Sequence, residues 1–158
     1  MNSFSKVLVA VDLSDHSLPA LLKGAELAEA LRAELSLVNI INQRDIDNIT
    51  RNLSLYPSFS IDSWLKDQEK IRNDQMVRLI EQGSCAHLKP KKIIRVGYPY
   101  EKLLEVIQTE KADLLVMSTK GRSNLADTVI GSCAQKMYRR SPIPMLSIRA
   151  KGVPINSN

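Results

Sequence analysis

The chain has 158 residues, 44% of them hydrophobic and 25% charged, a size and composition that suit one ordinary globular domain. Such a domain buries roughly 70% of its unfolded surface, so no disulfide or metal staple is required, and wholesale disorder, collagen-like repeats and coiled coil are excluded. The net charge is +5, yet aromatics make up only 4% of the chain. Neither Lys89-Pro90-Lys91-Lys92 nor Arg139-Arg140 is interleaved with aromatics, which points to a solvated basic face rather than a nucleic-acid platform.

Apolar and amphipathic runs alternate. Lys6 to Asp12 is short, β-branched and continuous, the pattern of a strand covered on both faces. Leu18 to Ala33 carries apolar residues at helical spacing, with Ser17 as N-cap and Pro19 in the first turn. Glu34 to Ile41 reads as a second strand, Asn42 to Ser60 as a polar, irregular loop or partly ordered excursion. Ile61 to Gln82 reads as a long amphipathic helix closed by Gly83 as its C′ residue. The second half repeats the alternation. Lys92 to Val96 is a strand, Gly97-Tyr98-Pro99 a turn, Tyr100 to Thr109 a helix and Ala112 to Ser118 a buried strand. Thr119 to Asn124 is a loop, Gly131 to Arg140 a helix, and Pro144 to Ile148 a last short strand. The expectation is an α/β fold: an open, doubly wound, five-stranded parallel sheet with helices on both faces. It occupies residues 1–150 as one domain, with 151–158 as a flexible tail.

No stretch reaches the roughly 20 apolar residues that a membrane helix requires. The opening residues lead straight into the first strand without a secretory charged region and cleavage site, so a cytoplasmic, membrane-free location is expected. Cys85 and Cys133 are too few for a disulfide framework, and Cys85 with His87 lacks two further zinc ligands.

Sheets of this kind bind ligands outside the carboxyl ends of their strands. The richest segment there is Ser118-Thr119-Lys120-Gly121-Arg122-Ser123, followed by Gly131-Ser132. Glycines let backbone amides approach an anion, and a helix N-terminus aims free N–H groups at it. Ser132 adds a hydroxyl, Lys120 and Arg122 add charge, and the chemistry is that of a polyphosphate cradle. It is not a Walker A loop, whose Gly-x4-Gly-Lys-Ser/Thr is absent; spacing alone leaves two unrelated turn glycines as an equal reading. Asp12 lies on the same ligand edge or caps its own turn. His16 reads as a turn residue, Cys133 as a buried structural thiol rather than a redox sensor, and Trp64 as core or lid packing.

The loop is similar to the Gly-x2-Gly-x9-Gly-Ser/Thr motif of the universal stress protein family. Gly121 matches the second glycine and Gly131-Ser132 the closing pair, whereas Ser118 stands in place of the first glycine. Val9 to Ser14, Val96 to Glu101, Ala112 to Met117 and Ser141 to Leu146 resemble further family segments in the same order. The resemblance implies sheet order 3-2-1-4-5, a homodimer joined through the last strand (Pro144, Met145, Leu146, Ser147 and Ile148) and, in one branch, bound ATP. Carried over by position, Asp12 meets the ribose, the Ala10 backbone lies beside the adenine, and the Ile40 main chain holds the base. Ser118, Thr119, Lys120, Gly121, Arg122, Gly131, Ser132 and Cys133 surround the phosphates. Magnesium enters with the phosphates, no protein side chains forming a metal site of their own. A positive φ at position 118 would strain a serine, whereas a negative one would let it fit and donate a hydrogen bond.

The implied function is an ATP-binding stress-response regulator acting as a homodimer. No catalytic residue is legible, since neither a water-activating base nor a Walker B carboxylate is present, so hydrolysis is slow at most. The alternative is a nucleotide-free homodimeric interaction module acting through a protein partner. A phosphorylation-switched receiver domain shares the plan but needs an acidic pair after the first strand and a lysine after the fifth. Here the first strand ends Asp12-Leu13-Ser14, and no lysine follows Pro144 until Lys151.

Overall fold

The computed structural model describes residues 4–120 and 130–149. Its elements run β1 (Lys6–Ala10), α1 (Ser17–Leu31), β2 (Glu34–Asn42), α2 (Gln43–Arg51), α3 (Ile61–Gln82), β3 (Lys91–Gly97), α4 (Pro99–Glu110), β4 (Leu114–Ser118), α5 (Ser132–Arg140) and β5 (Met145–Ile148). Short 3-10 turns at Leu53–Leu55 and Ala86–Leu88 precede α3 and β3. The strands form one parallel sheet in the order β3-β2-β1-β4-β5, as expected. The suggested tail lies outside the described residues, among which no helix is long and apolar enough to cross a membrane.

Alternation along the strands divides the core into two layers. Val7, Val9, Leu35, Leu37, Leu114 and Val116 face α1 and α3, meeting Leu21, Ala25, Met76 and Leu79. Leu8, Val38, Ile93, Leu115 and Met117 face the opposite way, onto Leu103, Val106 and Ile107 of α4 and Met137 of α5. The strand runs are continuously apolar because both faces are covered.

Local structure departs from the sequence-based expectation in three places. Asn42 to Ser60 is not an irregular loop. Asn42 caps α2 by accepting from the Arg44 amide (3.1 Å), and Ile46 anchors the helix in the protein. Its nine residues carry only two apolar side chains, Ile46 and Ile49, so the segment reads as polar despite its helical spacing. Ser17 is not the N-cap of α1; His16 holds that position without a side-chain bond, and the Ser17 hydroxyl is engaged with the preceding turn. Gly83 closes α3 in a right-handed conformation (φ −78°), and Ser84 takes the left-handed one (φ 51°). The small size of Gly83 instead serves packing, since a Cβ there would lie 3.3 Å from Leu21 Cδ2. Trp64 is half-buried and lines an apolar cavity of about 490 Å³ with Tyr56 and Phe59, between α2 and the start of α3.

Gly24 sets the closest approach of helix to sheet. A Cβ at this position in α1 would fall 2.3 Å from Val9 Cγ2, whose β-branched side chain is fully buried in β1. Gly24→Ala is therefore expected to lower stability by about 1–3 kcal/mol in urea unfolding, despite alanine's better helix propensity. In a Val9→Ala background the same change becomes neutral or stabilising. A stabilising Gly24→Ala in the otherwise native chain would refute this packing.

Candidate functional site

Between the carboxyl ends of β2, β1 and β4 the chain leaves a cavity of about 350 Å³. α1 and α3 cover one face of the sheet and α4 and α5 the other, so the loops part where the winding reverses between β1 and β4.

The β1–α1 turn forms the middle of the floor. Asp12 Oδ1 accepts from the Ser14 amide (3.0 Å), the Ser14 hydroxyl (2.6 Å) and the Ser17 hydroxyl (3.1 Å). Ser17 Oγ in turn accepts from the Leu13 amide (2.9 Å), and Leu13 is held in the left-handed region at φ 65°. Asp12 thus caps its own turn and lines the cavity, so the two readings of this residue are not exclusive. On the β2 side, Asn39 Nδ2 donates to the Val11 carbonyl and its Oδ1 accepts from Arg72 Nη1, both at 2.8 Å. This bridge ties β1 and β2 to α3 through a residue that is 1% exposed.

On the β4 side, Ser118 ends the strand without a left-handed backbone and its hydroxyl donates to the Ile148 carbonyl at 3.3 Å. Serine therefore fits here. The Thr119 amide donates to the same carbonyl (3.0 Å), and the Thr119 carbonyl accepts from Gly131. Thr119 is 6% exposed, and its hydroxyl has no partner among the described residues. Gly131 precedes α5 in an extended conformation and has no side chain to cap the helix, so among the described residues no side-chain cap is given to its first amides. Lys120 and the start of α5, from Gly131 to Ala134, complete this wall.

Nine residues expected at a site line this one cavity: Ala10, Asp12, Ile40, Ser118, Thr119, Lys120, Gly131, Ser132 and Cys133. Gly121 and Arg122 lie outside the described residues. His16 is not part of the lining, and Cys85 is buried with its thiol donating to the Ile80 carbonyl (3.6 Å). Asn39 and Asn42, in the stretch at the carboxyl end of β2 where a ligand was to be sought, also line the cavity, whereas Asp45 and Arg72 join it without having been foreseen. Two signals were present. Asn39 is polar inside the run Leu37-Val38-Asn39-Ile40-Ile41, and Arg72 occupies a position on the α3 stripe that continues through Met76, Leu79 and Ile80.

The four buried polar residues among those described are Ser17, Asn39, Arg72 and Thr119, and all four line this cavity. Buried polar groups are costly, and their gathering at one edge of an otherwise apolar core marks a built site.

A doubly wound α/β protein with a polar, anion-competent cavity at its switch point is the class that this geometry defines. The universal stress protein family matches residues 3–149, and the chain belongs to that family. It is similar to universal stress protein MJ0577 of Methanocaldococcus jannaschii, 26% identical over 161 residues that cover 94% of this chain and 96% of that protein. The solved MJ0577 structure has the same fold, with TM-score 0.71 at 21% identity, covering 96% of this chain and 99% of that one. A universal stress protein solved in complex with cAMP gives TM-score 0.59 at 23% identity, over 93% of this chain and 98% of its own. One from Archaeoglobus fulgidus in complex with dAMP gives 0.54 at 14%, over 93% and 99%.

Burial pushes the Cys133 thiol up to about 11, with the Asp12 charge adding to the effect and Lys136 opposing it. The thiol is protonated at neutral pH and is a poor nucleophile there. Alkylation of Cys133 by iodoacetamide, followed by peptide mass spectrometry, should be slow at pH 7–9 and rise about tenfold per pH unit toward 11. Rapid labelling at pH 7 would show that this half-buried thiol is not held protonated as described.

Proposed function

We propose that the chain is a nucleotide-binding regulatory protein whose ligand is ATP, bound in this cavity with magnesium carried on the phosphates. The observation that carries the reading is the wall formed by β4 and α5, where the helix start and the buried Thr119 hydroxyl, neither given a side-chain partner among the described residues, line the same cavity. Helix N-terminal amides and a hydroxyl are the donors an anion recruits, and Lys120 adds charge beside them. Gly121 and Arg122 are assigned to the phosphates with them. Ala10, Asp12 and Ile40, at the ends of β1 and β2, are assigned to the sugar and base. The cAMP and dAMP complexes of the two fold relatives support a nucleotide in this family. When bound, the nucleotide supplies a polyphosphate anion and a planar base; the chain's own residues bind and orient them. Among the described residues no histidine lines the cavity, and Asp12 there is engaged by Ser14 and Ser17 of its own turn, so the assigned role is binding rather than turnover.

The second part of the reading is a cytoplasmic homodimer joined along β5. This edge strand exposes parts of Met145, Leu146 and Ile148, whereas the opposite edge, β3, carries exposed Lys91, Lys92 and Arg95. Charged edges deter strand pairing and apolar ones invite it. The same edge favours the alternative, a nucleotide-free dimer acting through a protein partner.

Thermal unfolding of protein stripped of nucleotide separates the two readings. Mg-ATP at about 100 times its dissociation constant should add roughly 2.7 kcal/mol and raise Tm by several degrees, with AMP giving less. No shift would leave the interaction module as the reading. Gly131→Val, which sets a β-branched side chain before the α5 amides, should abolish the ATP shift while the mass by light scattering stays unchanged.

A further inference from the structure

We propose that the cavity between α2 and the start of α3 is a second small-molecule site, and that it takes a neutral, flat aromatic ligand carrying one hydrogen-bond donor. The two cavities lie on different stretches of α2. Asn42 and Asp45, at the start of the helix, line the cavity at the strand ends, whereas Asn48, Ile49 and Asn52, at its close, line the second one. The second site therefore uses no residue assigned to the nucleotide.

The facing wall is aromatic. Tyr56, Phe59 and Trp64 are three of the seven aromatic residues of the chain (two Phe, four Tyr and one Trp), and they gather around this one space of about 490 Å³. A minor core would bury such rings against one another. Here Tyr56 is 64% exposed and Phe59 40%, and Trp64 is half-buried. Large apolar side chains left open around a concavity mark a surface that a ligand covers. Small-molecule sites have volumes of roughly 300–1,000 Å³ and apolar, aromatic walls, with a few polar groups for orientation. Rings meet rings in offset or edge-to-face contacts that an alkyl chain cannot make, so this wall favours a flat ring system. Charge excludes ions. α2 carries Arg44, Asp45, Asp47 and Arg51, and none of the four lines this cavity. An ionised ligand would lose water here without gaining a counter-charge, so the fitting ligand is neutral. The polar handle is Asn52. Its Nδ2 donates to the Asn48 carbonyl at 2.9 Å, which fixes the amide and leaves Oδ1 to accept from a ligand N–H or O–H.

Trp64 is the chain's single tryptophan, so its emission reports on this cavity. The test is titration of the full chain with N-phenylnaphthylamine, a neutral fused-ring amine that accepts excitation energy from tryptophan. Saturable transfer from Trp64 at one dye per chain is expected. Anilinonaphthalene sulfonate, the same ring system with an added anion, should bind at least about tenfold more weakly. Decanol, neutral but without a ring, should compete about fivefold more weakly than the unlabelled ring compound naphthol. Tyr56→Ala and Phe59→Ala remove exposed rings and so keep the fold, with an unchanged Tm as the check; each should weaken the amine about fivefold. Absence of saturable transfer in the native chain overturns the proposal. So does equal binding of the sulfonate, equal competition by decanol, or unchanged affinity in both variants. The competing occupant is a second copy of the chain, since Leu55 in the adjoining turn is 69% exposed. A mass by light scattering that falls in Tyr56→Ala would make this face an interface between copies, and would overturn the ligand site as well.

Discussion

The central strands are buried on both faces, and most of the architecture follows from that. Val7, Leu8 and Val9 of β1 and Leu115 and Val116 of β4 are all 0% exposed. A strand of this kind needs a helical layer above and another below, and parallel pairing requires each crossover to return the chain to the same edge. Right-handed crossovers then place α1 and α3 on one face and α4 and α5 on the other. The winding changes direction between β1 and β4, so the loops that follow these two strands diverge. The cavity is thus a consequence of topology; no loop has to be shaped to create it.

Polar groups give that cavity its chemistry, and they are the costly part of the design. Desolvating a guanidinium or an amide is unfavourable unless hydrogen bonds replace the lost water. The Val11–Asn39–Arg72 bridge supplies such bonds at the β2 end, and the Asp12–Ser14–Ser17 cluster supplies them at the end of β1. Both arrangements also hold backbone. The first locks α3 against the strand ends, and the second stabilises a turn that places Leu13 at φ 65°. Local strain at Leu13 is thereby sustained by side chains that also face the cavity.

The sequence was most legible where burial imposed a period. The described strands and the helices α1, α3 and α4 could be read from apolar runs and stripes, because covered strands and amphipathic helices leave little choice of residue type. The β4–α5 wall was legible for a different reason: Gly131 and Ser132 belong to a spaced motif that extends across the chain. What stayed hidden depends on tertiary context. α2 is short and polar, so its cap at Asn42 and its anchor at Ile46 carry meaning only once β2 delivers them to the cavity rim. Arg72 resembled one more charge on an amphipathic helix until α3 packed with that face inward. Ser84, and not Gly83, takes the left-handed position after α3, while a Cβ at Gly83 would crowd Leu21.

The two sheet edges carry different chemistry, and one of them touches the site. β3 presents Lys91, Lys92 and Arg95 to solvent, a charge pattern that discourages further strand pairing. β5 has only four residues and partly covered side chains, and its Leu146 and Ile148 pack against the α1 and α3 layer. The Ile148 carbonyl accepts from both the Ser118 hydroxyl and the Thr119 amide, and both of those residues line the cavity. A glycine at position 118 would leave only the backbone bond. The serine gives the cavity wall and the outer strand a second attachment to the same acceptor.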